Sequence, residues 1–368
     1  MGTGYVRLVL IAAGGTGGHL FPAEALAAAL VRRGVAVDLA TDSRATSYGG
    51  NFPARARHVI PSSPVLGRDP WALLRTGAII GAGVAKAWAL LRQLRPIAVV
   101  GFGGYPTVPP VLAAALHGIP AIIHEQNSVI GRANRFLAPR VKAIATGFRS
   151  IGQSDPALAA KTTWVGNPVR PAVILAAAKP YTAPDAGGPL RLLVFGGSQG
   201  ARVMAEVVPA AIAALDEGLR SRLRILQQAR EEDIAAVKRG YSEIAVDAEV
   251  APFFSDLPAR MATSHIVVSR SGASTVAELA AIGRPAILVP LPNALDQDQF
   301  ANAGVLAQAG AAVRLPQAEF TPERLASEIS ALAADPARLA AMAEAARKAG
   351  TLDAADRLAD LVLRVARQ

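Results

Sequence analysis

The chain reads as an α/β protein made of two doubly wound halves, each a parallel sheet covered by helices. Three features point there. Short β-branched apolar runs alternate with Ala-rich stretches of helical length. The alternation pauses once, at residues 167–190, and then restarts. Each half also opens on a strand followed by a glycine-rich loop, Gly14-Gly15-Thr16-Gly17-Gly18 and Gly196-Gly197-Ser198-Gln199-Gly200, an offset of 182 residues in a chain of 368.

Residues 7–13 (RLVLIAA) form a continuous apolar run, the signature of a strand covered on both faces. A glycine loop and a helix over 22–33 follow, and strand signals recur at 35–41, 98–101, 120–124 and 142–146. Residues 71–95 (WALLRTGAIIGAGVAKAWALLRQLR) read as a helix apolar around much of its circumference, either packed on the sheet or facing a membrane surface. Residues 167–190 have the Pro and Gly content of a linker. Beyond it, strands are expected at 191–195, 224–227, 266–269 and 286–290, and a helical tail over 321–368. The two halves are assigned as domains 1–166 and 167–351. Paired sheets of this kind form a cleft onto which both glycine loops open, where ligands bind.

The absence of cysteine excludes disulfides, thiolate metal sites and a Cys nucleophile. The charge is uneven. Lys plus Arg number 38 against 28 Asp plus Glu, and the excess lies entirely in residues 1–168, which carry +11 against −1 for the remainder. A half so basic implies an anionic partner. Nucleic acid fits poorly, because basic residues occur in pairs such as Arg32-Arg33 rather than in longer clusters, and aromatics for stacking are scarce. No export signal or spanning helix is expected: the longest uncharged run, between Arg95 and Glu125, is broken by five prolines.

In GGTGGH (14–19) the glycines let backbone N–H groups approach a phosphate or sugar, with a helix N-terminus behind them. Leu20 stands where a GxGxxG dinucleotide loop needs glycine, although Asp38 and Asp42 occupy plausible ribose positions. A tight turn with no ligand is the competing reading. His19 could take a proton from an attacking hydroxyl, or simply cap the loop. In SRSGASTVAE (269–278) a Ser/Gly loop opens a helix suited to a pyrophosphate, with Arg270 adding charge. Glu278 suits two vicinal ribose hydroxyls, or else closes a T-x-x-E capping box with Thr275. Asp296-Gln297-Asp298 matches D-x-D, a pattern short enough to arise by chance.

Six segments, GGTGGH-x-F-P (14–22), GFGGY (101–105), HEQN (124–127), VGNPVR (165–170), GGSQGA (196–201) and RSGASTVAE (270–278), occur in order. Over residues 7–320 they resemble the MurG family of peptidoglycan N-acetylglucosaminyltransferases, which convert lipid I to lipid II. The resemblance implies a GT-B fold, two Rossmann-like domains facing across a deep cleft, with the C-terminal helix, about 352–368, packed back on the first domain. It implies an inverting transfer of GlcNAc from UDP-GlcNAc to the C4 hydroxyl of MurNAc in undecaprenyl-diphosphoryl-MurNAc-pentapeptide.

Carried over residue by residue, the resemblance assigns the donor to Thr16, Gly17, Gly18, Asn127, Arg170, Ser198, Phe254, the run Ala273, Ser274, Thr275, Val276, Ala277 and Glu278, and Gln299. It assigns the acceptor diphosphate to Gly103, Gly104 and Tyr105. His19 is the first choice of general base and Glu125 the second. No cofactor is required and no protein-bound metal site is expected, although a divalent cation is compatible with the chemistry. The expected partners are UDP-GlcNAc, lipid I, the anionic inner leaflet and other cell-wall synthesis proteins, with no nucleic acid, at the cytoplasmic face of the cell membrane. Two features depart from the family pattern: Asp298 stands where His or Gln is usual, and Gln227-Gln228-Ala229-Arg230 replaces an HQ-S/T-G segment. A UDP-GlcNAc 2-epimerase and a non-catalytic nucleotide-sugar-binding subunit are the alternatives.

Overall fold

Continuous apolar runs become central strands, and short mixed runs become edges. The computed structural model describes residues 7–14, 17–43, 52–63, 70–151, 156–197, 200–292 and 294–368. The chain divides into one unit of Met1–Arg170 with Leu352–Gln368 and another of Pro171–Thr351.

The first unit runs β1 (Leu8–Ala12), α1 (Gly17–Arg32), β2 (Ala36–Thr41), β3 (Arg57–Val59), α2 (Pro70–Leu94), β4 (Ala98–Gly101), α3 (Val108–Leu116), β5 (Ala121–Glu125), α4 (Arg132–Leu137), β6 (Ala143–Thr146), α5 (Pro156–Ala159) and β7 (Thr162–Trp164). Its seven strands are parallel in the order β3-β2-β1-β4-β5-β6-β7. Alternation along β1 fills two cores. Val9 and Ile11 pack with Leu26 and Leu30 of α1, while Leu10 and Ala12 pack with Leu91, Val111 and Ile123 on the other face.

The second unit runs α6 (Pro171–Ala177), β8 (Leu190–Phe195), α7 (Arg202–Ala213), α8 (Glu217–Arg222), β9 (Leu223–Gln228), α9 (Ile234–Glu243), β10 (Asp247–Ala251), α10 (Leu257–Thr263), β11 (Ile266–Ser269), α11 (Ala273–Ile282), β12 (Ala286–Leu288), α12 (Asp298–Gln308), β13 (Ala312–Arg314), α13 (Pro322–Ala333) and α14 (Pro336–Ala349). Its six strands are parallel in the order β10-β9-β8-β11-β12-β13. The final helix, α15 (Ala354–Val365), belongs to the first unit, where Leu358, Leu361 and Val362 join the core around α1.

Several expectations need correction. Strands β3, β7, β10 and β13 escape the sequence reading, and they are the four sheet edges. Edge strands are half-solvated, so they carry mixed residues rather than a continuous apolar run. The helical tail is three helices, because Pro336 starts α14 under the Asp335 cap and Gly350 ends it. A Cβ on Gly350 would lie 2.7 Å from the Ala280 carbonyl oxygen. The linker is partly helical, as α6, and the first helix starts at Gly17 rather than near residue 22. Leu74–Leu94 of α2 is long and apolar enough to cross a membrane, a property that helices of soluble proteins share, and 22% of its most apolar stretch is buried. A stripe of Thr76, Gly83, Ala87 and Leu91 is nevertheless buried in the unit.

Candidate active site

In each sheet the order reverses beside the first strand, between β1 and β4 and between β8 and β11. Loops leaving the carboxyl ends of those strands diverge, and the crevice they leave is the ligand position of doubly wound folds. His19, Gly103, Gly104 and residues 273–278 follow the strands at these two points, whereas Glu125 and Asn127 lie at the end of β5, Arg170 beyond β7, Phe254 beyond β10 and Gln299 in α12.

In the first unit His19 lies in the first turn of α1, half-buried. Gly103 (φ 80°) and Gly104 (φ 71°) adopt left-handed backbone that favours glycine. A Cβ on Gly103 would stand 3.4 Å from His19 Cε1, and one on Gly104 3.3 Å from His19 Nε2, so the imidazole rests over both glycines. The Thr107 hydroxyl donates to the Gly103 carbonyl at 2.5 Å and pins the loop that carries Tyr105. On the other side, His19 Nδ1 lies 3.4 Å from Gln126 Oε1. Gly17 is buried and Gly18 exposed, whereas Thr16 lies outside the described residues.

Glu125, the second candidate base, is 2% exposed and saturated with donors. Oε1 accepts from Asn127 N (3.0 Å) and Asn127 Nδ2 (3.3 Å), and Oε2 from Gly131 N (2.9 Å) and Asn134 Nδ2 (2.8 Å). Its role as a base is therefore corrected: the carboxylate holds the 127–134 turn and fixes Asn127. Arg170 stacks its guanidinium 4.1 Å over the ring of Phe21, two residues after His19. Burial pushes the Glu24 carboxyl up, with Arg170 opposing.

Asp38 and Asp42 are 1% and 5% exposed. Asp38 accepts from Arg55 Nε and pairs with His58 Nε2, each at 3.0 Å. Burial raises its pKa, but these two partners outweigh it and hold the carboxyl below the usual range. Asp38 stitches β2 to the β3 region and is closed to a ribose.

In the second unit α11 begins at Ala273 with Gly272 as its N-cap. Thr275 is therefore inside the helix and the capping-box reading of Glu278 falls. Ala273, Ser274, Thr275, Val276, Ala277 and Glu278 make up the first turn and a half, whose opening N–H groups have no partner within the helix and suit an anion. Arg270 faces away from that role. It is buried, and its guanidinium donates to the carbonyls of Val289 and Pro290 and to Gln317 Oε1. Gln299 is tied in at both ends: its Oε1 accepts from Leu291 N at 3.0 Å, and its carbonyl from the Ser271 hydroxyl at 2.8 Å. Phe254 follows β10, 6% exposed beneath the Arg260 guanidinium at 4.4 Å.

In the glycine loop after β8, a Cβ on Gly196 would strike Ala201 N at 2.2 Å; Ser198 lies outside the described residues. Asp298 accepts from Gln299 N at 2.7 Å in the opening turn of α12. Gln227 is fully buried, donating to the Met204 carbonyl and accepting from the Tyr241 hydroxyl, so its segment serves the core. Among the described residues no group of three His, Cys, Asp or Glu could hold a metal. His124, Gln126, Asn134 and Asn167 surround the first site without having been given roles. The signal available was HEQN itself, where His124 and Gln126 stand two apart at a strand's carboxyl end.

Profiles of the glycosyltransferase family 28 N-terminal and C-terminal domains match residues 9–146 and 191–358. Two curated relatives, from Bradyrhizobium sp. (strain BTAi1 / ATCC BAA-1182) and Rhodopseudomonas palustris (strain HaA2), bear the name UDP-N-acetylglucosamine--N-acetylmuramyl-(pentapeptide) pyrophosphoryl-undecaprenol N-acetylglucosamine transferase. The first is 61% identical over 364 residues, covering 99% of both chains, and the second 64% identical over 359 residues, covering 98% of both. The crystal structure of Acinetobacter baumannii MurG matches with a TM-score of 0.79 at 29% identity, over 97% of this chain and 99% of that one. A UDP-GlcNAc 2-epimerase from Neisseria meningitidis matches at 0.69 and 12% identity, over 97% of this chain and all of that one, a likeness of fold alone.

Proposed function

The chain belongs to glycosyltransferase family 28, and from that premise we propose that it transfers GlcNAc from UDP-GlcNAc to the C4 hydroxyl of MurNAc in lipid I, yielding lipid II, with His19 as general base. The observation that carries the residue assignment is the His19 imidazole lying over Gly103 and Gly104, half-buried and beside the switch point of its sheet.

The acceptor hydroxyl attacks C1 of GlcNAc as its proton passes to the imidazole, the C1–O bond to the diphosphate breaks, and UDP leaves. One displacement inverts the anomeric centre. The leaving diphosphate gains negative charge, and the N-terminus of α11 with the N–H groups of Ala273–Ile282's first turn offers fixed dipoles for it. Glu278 would take the ribose hydroxyls, Gln299 the sugar, and Phe254 the base by its backbone. Asn127, Arg170, Gly17 and Gly18, with Thr16 and Ser198, would complete donor binding, and Gly103, Gly104 and Tyr105 would hold the acceptor diphosphate. On this reading no resident cofactor is needed, although a divalent cation is compatible with the chemistry; transfer should persist in a chelator, and its loss there would overturn this.

We assign the protein to the cytoplasmic face of the cell membrane, held peripherally by the basic first half. Support comes from α2, which exposes Trp71 (79%) and Leu74 (64%) next to Arg75 at its start and Arg92 at its far end, with Arg95 just beyond, while its opposite stripe stays packed in the unit. Sedimentation with vesicles should increase with anionic lipid and fall with salt; binding indifferent to both would refute the attachment.

The decisive assay uses labelled UDP-GlcNAc with and without a short-chain lipid I analogue. Product should require the acceptor, and release of free sugar without it would mean a different enzyme. His19→Ala should lower kcat by about 10²–10⁴-fold, and undiminished transfer would remove His19 from the chemistry.

A further inference from the structure

A run of hydrogen bonds leads from the core of the first unit to His19, and its donors and acceptors permit one arrangement. It starts at His124, fully buried in β5. Nε2 of His124 lies 3.1 Å from the Gly166 carbonyl oxygen. A carbonyl only accepts, so Nε2 carries the proton, and Nδ1 of the neutral ring is left as an acceptor. Burial holds the ring neutral, its pKa pushed down to about 4.

Gln126 comes next. Its side-chain nitrogen lies 3.1 Å from His124 Nδ1 and 3.1 Å from the His124 carbonyl oxygen, two acceptors that together demand an NH2. The reversed amide would set oxygen against both. The backbone of Gln126 is held as well, since Asn167 Nδ2 donates to its carbonyl at 2.8 Å. The amide oxygen therefore points outward, 3.4 Å from His19 Nδ1. Facing an oxygen that only accepts, Nδ1 of a neutral His19 must carry the proton. The lone pair is then at Nε2, the atom nearest the position a Cβ on Gly104 would take.

We propose that Gln126 and His124 are positioning residues that fix the tautomer of His19, leaving Nε2 as the basic nitrogen over the Gly103-Gly104 loop. This rests on the reading of His19 as general base. It goes further by naming which nitrogen accepts the proton and what selects it. The opposite tautomer, which a histidine side chain favours in water, would aim an N–H at the incoming hydroxyl and could not receive its proton.

The test is ¹⁵N NMR of imidazole tautomers in the full chain, near pH 8. With five histidines in the sequence, the His19 signal is assigned by its loss in His19→Ala. In the unsubstituted protein Nδ1 should be protonated and Nε2 bare. In Gln126→Leu the ring should revert mainly to the Nε2–H form, with kcat falling at least tenfold (~1.4 kcal/mol) and KM for UDP-GlcNAc within about twofold. An Nε2–H ring in the unsubstituted protein overturns the proposal, whether or not Gln126→Leu folds. A ring that switches tautomer in Gln126→Leu while kcat stays unchanged overturns the positioning role. Undiminished transfer by His19→Ala would instead sink the base assignment, and leaves the tautomer result standing on its own.

Discussion

Each unit buries one neutral histidine beside its sheet, and the two sit at opposite ends of their strands. His124 is near the carboxyl end of β5, and His265 immediately precedes the amino end of β11. Burial lowers both pKa values to about 4, with Arg191 and Arg284 adding to the effect at His265. His265 Nδ1 accepts from Arg191 N at 3.0 Å, and its carbonyl accepts from the Tyr181 hydroxyl at 3.2 Å, so it clamps the entry to β8 and the preceding segment. His124 uses both ring nitrogens, one on the Gly166 carbonyl and one on Gln126, in the line that ends at His19. The same buried imidazole is a staple at one end of a parallel strand and part of the candidate site at the other. The physical reason is that loops from the carboxyl ends surround the switch point, while those at the amino ends only close the chain.

The largest expected effect tests what the two rings share. At about pH 7.5 and above both rings are essentially neutral, folded or unfolded, since a free imidazole titrates at pH ~6.5. As pH falls towards 4, the unfolded chain binds protons that the folded rings refuse, so stability is lost throughout that window. The shift at His124 alone corresponds to about 3 kcal/mol. Urea unfolding midpoints at pH 7.5 and 4.5 should show the loss. His265→Asn, whose amide oxygen replaces Nδ1 as acceptor, should lessen it while transfer stays unchanged; a matching loss of transfer would break the comparison.

A second effect separates a site-side carboxylate from an ordinary surface one. Glu125→Gln puts an NH2 against donors that now meet oxygen, which should cost about 1–3 kcal/mol and raise KM for UDP-GlcNAc as Asn127 loosens. An unchanged KM would mean that the 127–134 turn is ordered without it. The smallest effect is expected at Asp356, which pairs with Arg32 and Arg33 where α15 meets α1 and is about half exposed. Asp356→Asn should cost under ~1 kcal/mol in thermal unfolding and less still at high salt, because the apolar face of α15 holds the helix.

The residues that lie at the sites are those whose motifs were legible. The described parts of the glycine loops, GFGGY and RSGASTVAE fall at strand ends beside the switch points, and HEQN at the end of the neighbouring β5. Their partners were not legible. The capping box at Thr275-Val276-Ala277-Glu278 is a valid local pattern, yet the helix starts two residues before Thr275 because Gly272 takes the cap. Arg270 has the right charge beside a phosphate motif, but its guanidinium is drawn inward to the Val289 and Pro290 carbonyls. Asp38 has ribose spacing, but Arg55 and His58, just before and within a strand absent from the sequence reading, close over it. For Arg270 and Asp38 the competing contact comes from a segment distant in sequence, and for the capping box from the neighbouring Gly272.

The sequence by itself determined the α/β class, the two-fold repeat, the central strands and the family motifs. These depend on continuous apolar runs and glycine positions, which are local properties. The tertiary structure decided the four edge strands, the saturation of Glu125 and the tautomer line through Gln126 to His19. Those depend on which donor meets which acceptor across the fold. A carboxylate or an amide has the same spelling whether its partners are water, a substrate or a buried N–H.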